Sequence, residues 1–267
     1  MKRDVSARLD VEVHAPATLE FQFTVARRPG VELTETLEFT VDGAPVAARE
    51  VPGPHGTRIH VFDSPPGTLR ANYHATVRGA ASPEPVADYD RSVYLRPSRF
   101  AESDRLLAYA ATEFGYGAND PDIPRRVAEW VGRRVRYVAS SSNPGDGAVE
   151  TLLSGRGVCR DYAHLLVALL RAVGVPARLA SVYAPGCVPM DFHCVAEAYV
   201  DGAWWAHDPS YLAPRTGLVR IATGRDASDV AFLDNHGGAI TVTDLSVHAA
   251  IDGPLPHDDP TRPVAIT

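Results

Sequence analysis

Between residues 9 and 77, apolar and polar positions alternate with period two through five stretches, LDVEVHA, LEFQFTVA, TLEFTVDG, RIHVF and LRANYHATV. Pro, Gly and Asp clusters separate them. That pattern predicts short antiparallel strands with one buried and one solvated face, hence an amino-terminal β-sandwich or barrel-like domain. A Pro- and Ala-rich stretch, RGAASPEPVADYDRS, follows at 78–92 and predicts a linker, with a boundary near residues 80–91 that divides the chain into domains 1–90 and 91–267. The period then becomes helical. SDRLLAYAATEFG opens on Ser103, a good N-cap, and stops at Gly115; IPRRVAEWVGRRVRYV carries Pro124 in its first turn and spaces Val127, Trp130, Val131 and Val135 along one face. A polar loop at 140–147 leads into VETLLSGRGVC and then a run, 160–173, that is apolar on most faces. Such a helix belongs inside a domain. Gly174 and Pro176 end it. Strand patterns return in RLASVYA, HCVAEAYVDGAWWAHD with a turn at Asp201 and Gly202, GLVRIATG and AITVTDLSVHAAI. A buried helix followed by an antiparallel sheet predicts an α+β domain. No internal repeat stands out.

Composition narrows the picture. At 267 residues and 45% hydrophobic, the chain can bury a core. A net charge of -7 argues against nucleic acid or an anionic membrane as partner, because both select clustered Lys and Arg. The start, MKRDVSARLDVEVHAPATLEF, lacks the continuous apolar segment of a signal peptide, which makes a cytoplasmic location the expectation. No run reaches the ~18 apolar residues that span a bilayer; the longest, LLVALLRAV, is interrupted by Arg171. Cys159, Cys187 and Cys194 form no C-x-x-C pair, and an odd number in such a chain predicts free thiols.

Cys159 is the candidate for chemistry. Gly155 and Gly157 allow a tight turn just before it, and the helix that follows aims unpaired N–H groups and its positive end at the sulfur, favouring thiolate over thiol. A lone cysteine at a helix start is also, more blandly, a small core residue. Downstream partners tip the balance. His193 opens one predicted strand and Asp208 closes the next, so a hairpin at Asp201 and Gly202 brings them side by side. A histidine oriented by a carboxylate can take a proton from a thiol and return it to a leaving amine.

The segments GVCRDYAHLLVALLRAVGVPAR, DFH followed by EAYVDGAWWAHDP, and RIATGRDASDVAF together resemble the bacterial transglutaminase-like family, whose fold is related to that of papain-like cysteine proteases. SVYLRPSRFAESDRLLAYAATEFG and the strands before it resemble the amino-terminal region of the same proteins, so the likeness runs along nearly the whole chain. It implies Cys159 as nucleophile, His193 as general base and acid, and Asp208 as the residue orienting the imidazole. Asp161 and His164 match the family's helix motif and take supporting roles; Asp161, in the first turn, can satisfy N–H groups there. Arg160 is not assigned to the thiolate, because successive helical residues point about 100° apart. Where many relatives have an aromatic residue walling the substrate channel, this chain has Val195.

Further expectations are structural or supporting. Cys194 alternates away from His193 and is expected to point away from the site, into the core. Glu197 shares the face of His193 in a regular strand, as an acceptor behind it or a solvated carboxylate. Of Trp204 and Trp205 one is expected in the core and one, Trp205, beside a cleft. Arg225 and Asp226 read as an ion pair or turn residues. A zinc site from His193, Cys194, His207 and Asp208 has the right ligand types, but neighbouring strand residues face opposite ways. No metal or other cofactor is expected. Two readings remain: thiol-dependent acyl transfer on a peptide, protein or small amide, ending in transamidation or hydrolysis, and a catalytically silent binding module on the same fold.

Overall fold

The computed structural model describes residues 1–267 except 83, 85, 118, 119 and 267. Seven strands come first: β1 (Lys2–Val13), β2 (Ala17–Phe21), β3 (Val31–Val41), β4 (Ala44–Val46), β5 (Arg49–Pro52), β6 (Arg58–Ser64) and β7 (Gly67–Gly79). There follow α1 (Asp88–Val93), α2 (Leu107–Phe114), α3 (Ile123–Arg134), β8 (Arg136–Tyr137), α4 (Ala148–Ser154), β9 (Arg156–Gly157) and α5 (Cys159–Ala172). The chain closes with β10 (Ala177–Tyr183), β11 (His193–Val200), β12 (Ala203–His207), β13 (Val219–Gly224), β14 (Leu233–Gly237) and β15 (Ile240–Ile251). The protein is α+β, as the period change predicts.

Two sheets make the amino-terminal module, one ordered β15-β1-β7-β3-β4 and one β14-β2-β6-β5, with every pairing antiparallel. Alternation drives their packing: Val5, Ala7, Leu9, Val11 and Val13 of β1 turn inward to meet Leu19, Phe21 and Phe62 of the facing sheet. Burying each large side chain is worth about 1.5–3 kcal/mol. The division at residue 90 does not partition these sheets. β15 lies along the whole of β1 and β14 along β2, so residues 233–251, which the sequence places in the second domain, complete the first. The linker stretch contains Pro83 and Pro85, which lie outside the described residues; its distal part is α1.

The second module is built on the antiparallel sheet β12-β11-β10-β13. Helix α5 lies on one face, with every residue from Asp161 to Ala172 buried, against α3, α4, β10 and β11. Small residues beneath it, Ala177, Ala196 and Ala198, let helix and sheet approach closely. The opposite face carries Ala180, Val182, Val195 and Ala206 in a separate apolar cluster.

Candidate active site

Local sequence sets the nucleophile's position. Gly155, at φ +62°, ends α4 in the left-handed region, and β9 then pairs in parallel with β8, placing Tyr137 beside Gly157. A β-carbon on Gly157 would stand 2.6 Å from the Cβ of Asp161, so only glycine leaves room for that side chain. Asp161 uses the space to bind the turn: its Oδ2 accepts from the Val158 N–H at 2.8 Å and its Oδ1 from the Ser142 hydroxyl at 2.9 Å. Cys159 is thus the first residue of α5, where backbone N–H groups have no intrahelical acceptor.

The two partners come from a hairpin. Asp201 and Gly202 both take positive φ, at 50° and 86°, as a type I′ turn requires, and Val200 pairs with Ala203 across it. This register sets Ala196 against His207 and carries Asp208 to the position across from Val195, two residues from His193. His193 Nε2 lies 2.8 Å from Asp208 Oδ2, and both side chains are almost fully buried. The other carboxylate oxygen accepts from the Ser210 backbone N–H and hydroxyl. With Nε2–H committed to Asp208, Nδ1 is the ring nitrogen left for a thiol proton.

His193 opens β11 at the rim of the sheet where α5 begins, close enough to the Cys159 thiol for each to shift the other's titration. The electrostatics favour an ion pair. Cys159 is held well below the usual thiol range, first by a hydrogen bond from Cys194 and then, against the cost of burial, by the hydrogen bond and charge of His193. Burial alone would push His193 down; the Asp208 carboxylate outweighs it and holds the imidazole well above its usual value. Asp208 is kept low despite burial by the facing imidazolium and by Ser210. Cys194 takes the converse shift, its thiol pushed well up by the neighbouring Cys159 and by burial.

Cys194 packs against the core as expected, but it does not point away from the site. The strand is regular, and Cys194 does face away from His193, together with Ala196 and Ala198. That face is the one α5 covers, which brings Cys194 to the nucleophile instead of away from it. Its backbone N–H also helps to lower the Cys159 thiol. Two more groups join the site without a clear sequence signal. Burial raises Tyr137 to about 12, with the Cys159 charge adding to the effect, and Asp191, two residues before His193, is raised by burial and by Cys159. All three cysteines are free.

The remaining predicted residues separate from this cluster. His164 is fully buried, stacks on Phe100 at 5.3 Å, and its Nε2 accepts from the Ala227 N–H at 3.1 Å, tying α5 to the loop after β13. Val195 is fully buried in the apolar cluster behind the strand and walls no channel. Glu197 shares the His193 face but neither bonds the histidine nor meets solvent; it is buried between Arg178 and Arg220. Trp204 is buried and Trp205 half-buried, its Nε1–H donating to the Val200 carbonyl. Arg225 pairs with Asp229, while buried Asp226 accepts from Phe100 N–H and from Ser228. Among the described residues no group of three or more His, Cys, Asp or Glu side chains could hold a metal ion, and no helix is long and apolar enough to cross a membrane.

A half-buried thiol at the start of a central helix, facing a histidine–aspartate pair on an antiparallel sheet, defines the class of papain-like Cys-His-Asp proteins. The chain belongs to the transglutaminase-like superfamily: residues 109–209 match the model of that superfamily. A crystal structure from Cytophaga hutchinsonii, designated a putative cysteine protease, is 32% identical, superposes with a TM-score of 0.88, and is matched over 98% of this chain and 95% of its own. An uncharacterised protein of Mycobacterium leprae is 30% identical over 130 residues, 45% of this chain and 46% of its own. One from Mycobacterium tuberculosis is 30% identical over 168 residues, 54% and 52% respectively. The chain spans about half the length of these curated relatives.

Proposed function

We propose that the protein is a cysteine-dependent acyl-transfer enzyme acting on amide bonds through a thioester on Cys159. The observation that carries this reading is geometric: Cys159 opens α5 beside His193, the first residue of β11, whose ring is held by a 2.8 Å contact to buried Asp208, and the electrostatics push the thiol down and the imidazole up. The Cys159 thiolate attacks the amide carbonyl, and free N–H groups at the start of α5 stabilise the oxyanion. His193 gives its Nδ1 proton to the departing amine. Water or a second amine then attacks the thioester, His193 takes the attacking proton, and the thiolate leaves. Water yields hydrolysis; an amine yields transamidation. Likeness to the Cytophaga hutchinsonii protein favours water and a peptide substrate.

The test is intact-mass detection of a Cys159 adduct after incubation with peptide pools, with and without added amine, in the wild type and in Cys159→Ala. The expected result is an acyl adduct and turnover in the wild type, neither in the variant, and a free acid as the product. A thiol that labels rapidly with iodoacetamide yet forms no adduct and turns over no peptide overturns the enzymatic reading in favour of a binding module.

A further inference from the structure

The sheet face turned away from α5 holds a second charged cluster, distinct from the triad. A cavity of 190 Å³ lies between the two modules, lined by Arg28 and Glu84 of the amino-terminal module and by Arg178, Glu197, Trp204 and Arg220 of the second. Three guanidinium groups face two carboxylates, one positive charge in excess. Both carboxylates are already engaged. Glu197 accepts from Arg178 Nε at 2.8 Å and from both terminal nitrogens of Arg220; Glu84 accepts from Arg178 Nη2 at 3.0 Å and pairs with His55. Arg28 is left with the Ser82 carbonyl at 3.3 Å and a distant ion pair, 3.7 Å, to Glu84.

Among the described residues, three side chains lining this cavity each carry a buried nitrogen with no hydrogen-bond partner: Arg28 Nη1, whose ion pair to Glu84 is the 3.7 Å one, Arg220 Nε and Trp204 Nε1. Their side chains are more than nine-tenths buried, Arg28 and Arg220 at 8% and 3% exposure and Trp204 at 6% for the whole residue. An orphaned buried polar group costs about 1–3 kcal/mol, so three on one cavity demand an explanation. All are donors, and among the described residues no acceptor of the lining meets them within hydrogen-bond distance. Burial and the charges of Arg220 and Arg178 weaken the hold of Arg28 on its proton, which an anion would reverse. The space exceeds a bare carboxylate, and the rest of the lining, Trp205 and Ile266 included, is largely apolar.

We propose that this cavity is a binding site for a small monocarboxylate with an apolar body, its carboxylate on Arg28, Arg220 and Trp204 and its body against Trp205 and Ile266. Free acids and the terminal carboxylate of a peptide share this chemistry. The probes are therefore benzoate, N-acetylphenylalanine and the neutral benzyl alcohol.

Titration calorimetry and thermal melting on the Cys159→Ala protein, which cannot turn over substrate, separate this proposal from the catalytic one. Expected are saturable binding of benzoate or N-acetylphenylalanine with a raised Tm, no response to benzyl alcohol, and affinity about tenfold or more weaker in Arg28→Gln. Arg28→Lys, which keeps the charge, should retain most of the response. Which acid binds tells the free from the peptide source. Absence of binding by both acids up to about 10 mM, equal binding of the alcohol, or full affinity in Arg28→Gln overturns the proposal. If Arg28→Gln does not melt cooperatively, Trp205→Ala carries the same test, with loss of benzoate affinity expected and unchanged affinity overturning it.

Discussion

At the scale of single residues, the acidity of Cys159 depends first on a neighbour that offers no catalytic group of its own. The Cys194 thiol is the largest influence lowering the Cys159 thiol, and its backbone N–H acts in the same direction. Cys194→Ala removes one hydrogen bond to a charged atom while keeping the backbone donor, so the pH midpoint of iodoacetamide labelling should move up and labelling at pH 6 should slow by about tenfold. An unchanged pH profile would show that the contact does not tune the nucleophile. Asp208→Asn acts on the other partner: it removes the charge that holds His193 up, and amide turnover should fall by about 10²-fold or more, measured as kcat/KM. Cys159, His193 and Asp208 were legible because their chemistry is a property of residue type and order. Cys194 was misplaced although its strand alternation was read correctly, since alternation says that two residues face opposite ways and not which face a helix will cover.

At the scale of elements, the start of α5 is held by two residues that matter only together. Asp161 satisfies Val158 N–H and Ser142 from the pocket that Gly157 leaves open. Asp161→Ala leaves a backbone donor unmet at the helix start and should destabilise the protein by about 1–3 kcal/mol, read from the urea midpoint at constant m-value. Gly157→Ala should cost a similar amount by displacing the same carboxylate, and the double variant should cost less than the sum, because both changes break one interaction. The β11–β12 hairpin was fully legible: Asp-Gly between alternating strands is a local signal, and local backbone preference is enough to form the turn. The return of the chain to the first module was not. AITVTDLSVHAAI reads as a strand, but nothing in its pattern names β1, more than 200 residues away, as its partner.

At the scale of the whole molecule, burial makes stability depend on pH below neutrality. Burial, aided by the charges of Arg160 and Arg171, pushes His164 down to about 3, and burial with Arg215 pushes His207 down to about 4. The unfolded chain protonates both near pH 6.5 while the folded chain does not, so the contribution of these two histidines is full above that pH and declines as pH falls toward 4. Each histidine can contribute up to about 1.4 kcal/mol per pH unit, and the loss between pH 7 and 5 should be on the order of 3 kcal/mol, read from urea midpoints. Below about pH 4.5 Glu84, held at about 2 against burial by His55 and Arg178, adds to the loss as it protonates. A urea midpoint that stays constant from pH 7 to 5 would contradict the neutral burial of both histidines. The sequence alone determined the strand-rich start, the buried helix, the hairpin and the three chemical groups, because period, turn preference and side-chain chemistry are local properties. Only the tertiary structure decided that Cys194 touches the nucleophile, that Glu197 is locked between arginines, that residues 233–251 complete the first module, and that orphaned donors gather on one cavity, because each depends on which distant surfaces pack against one another.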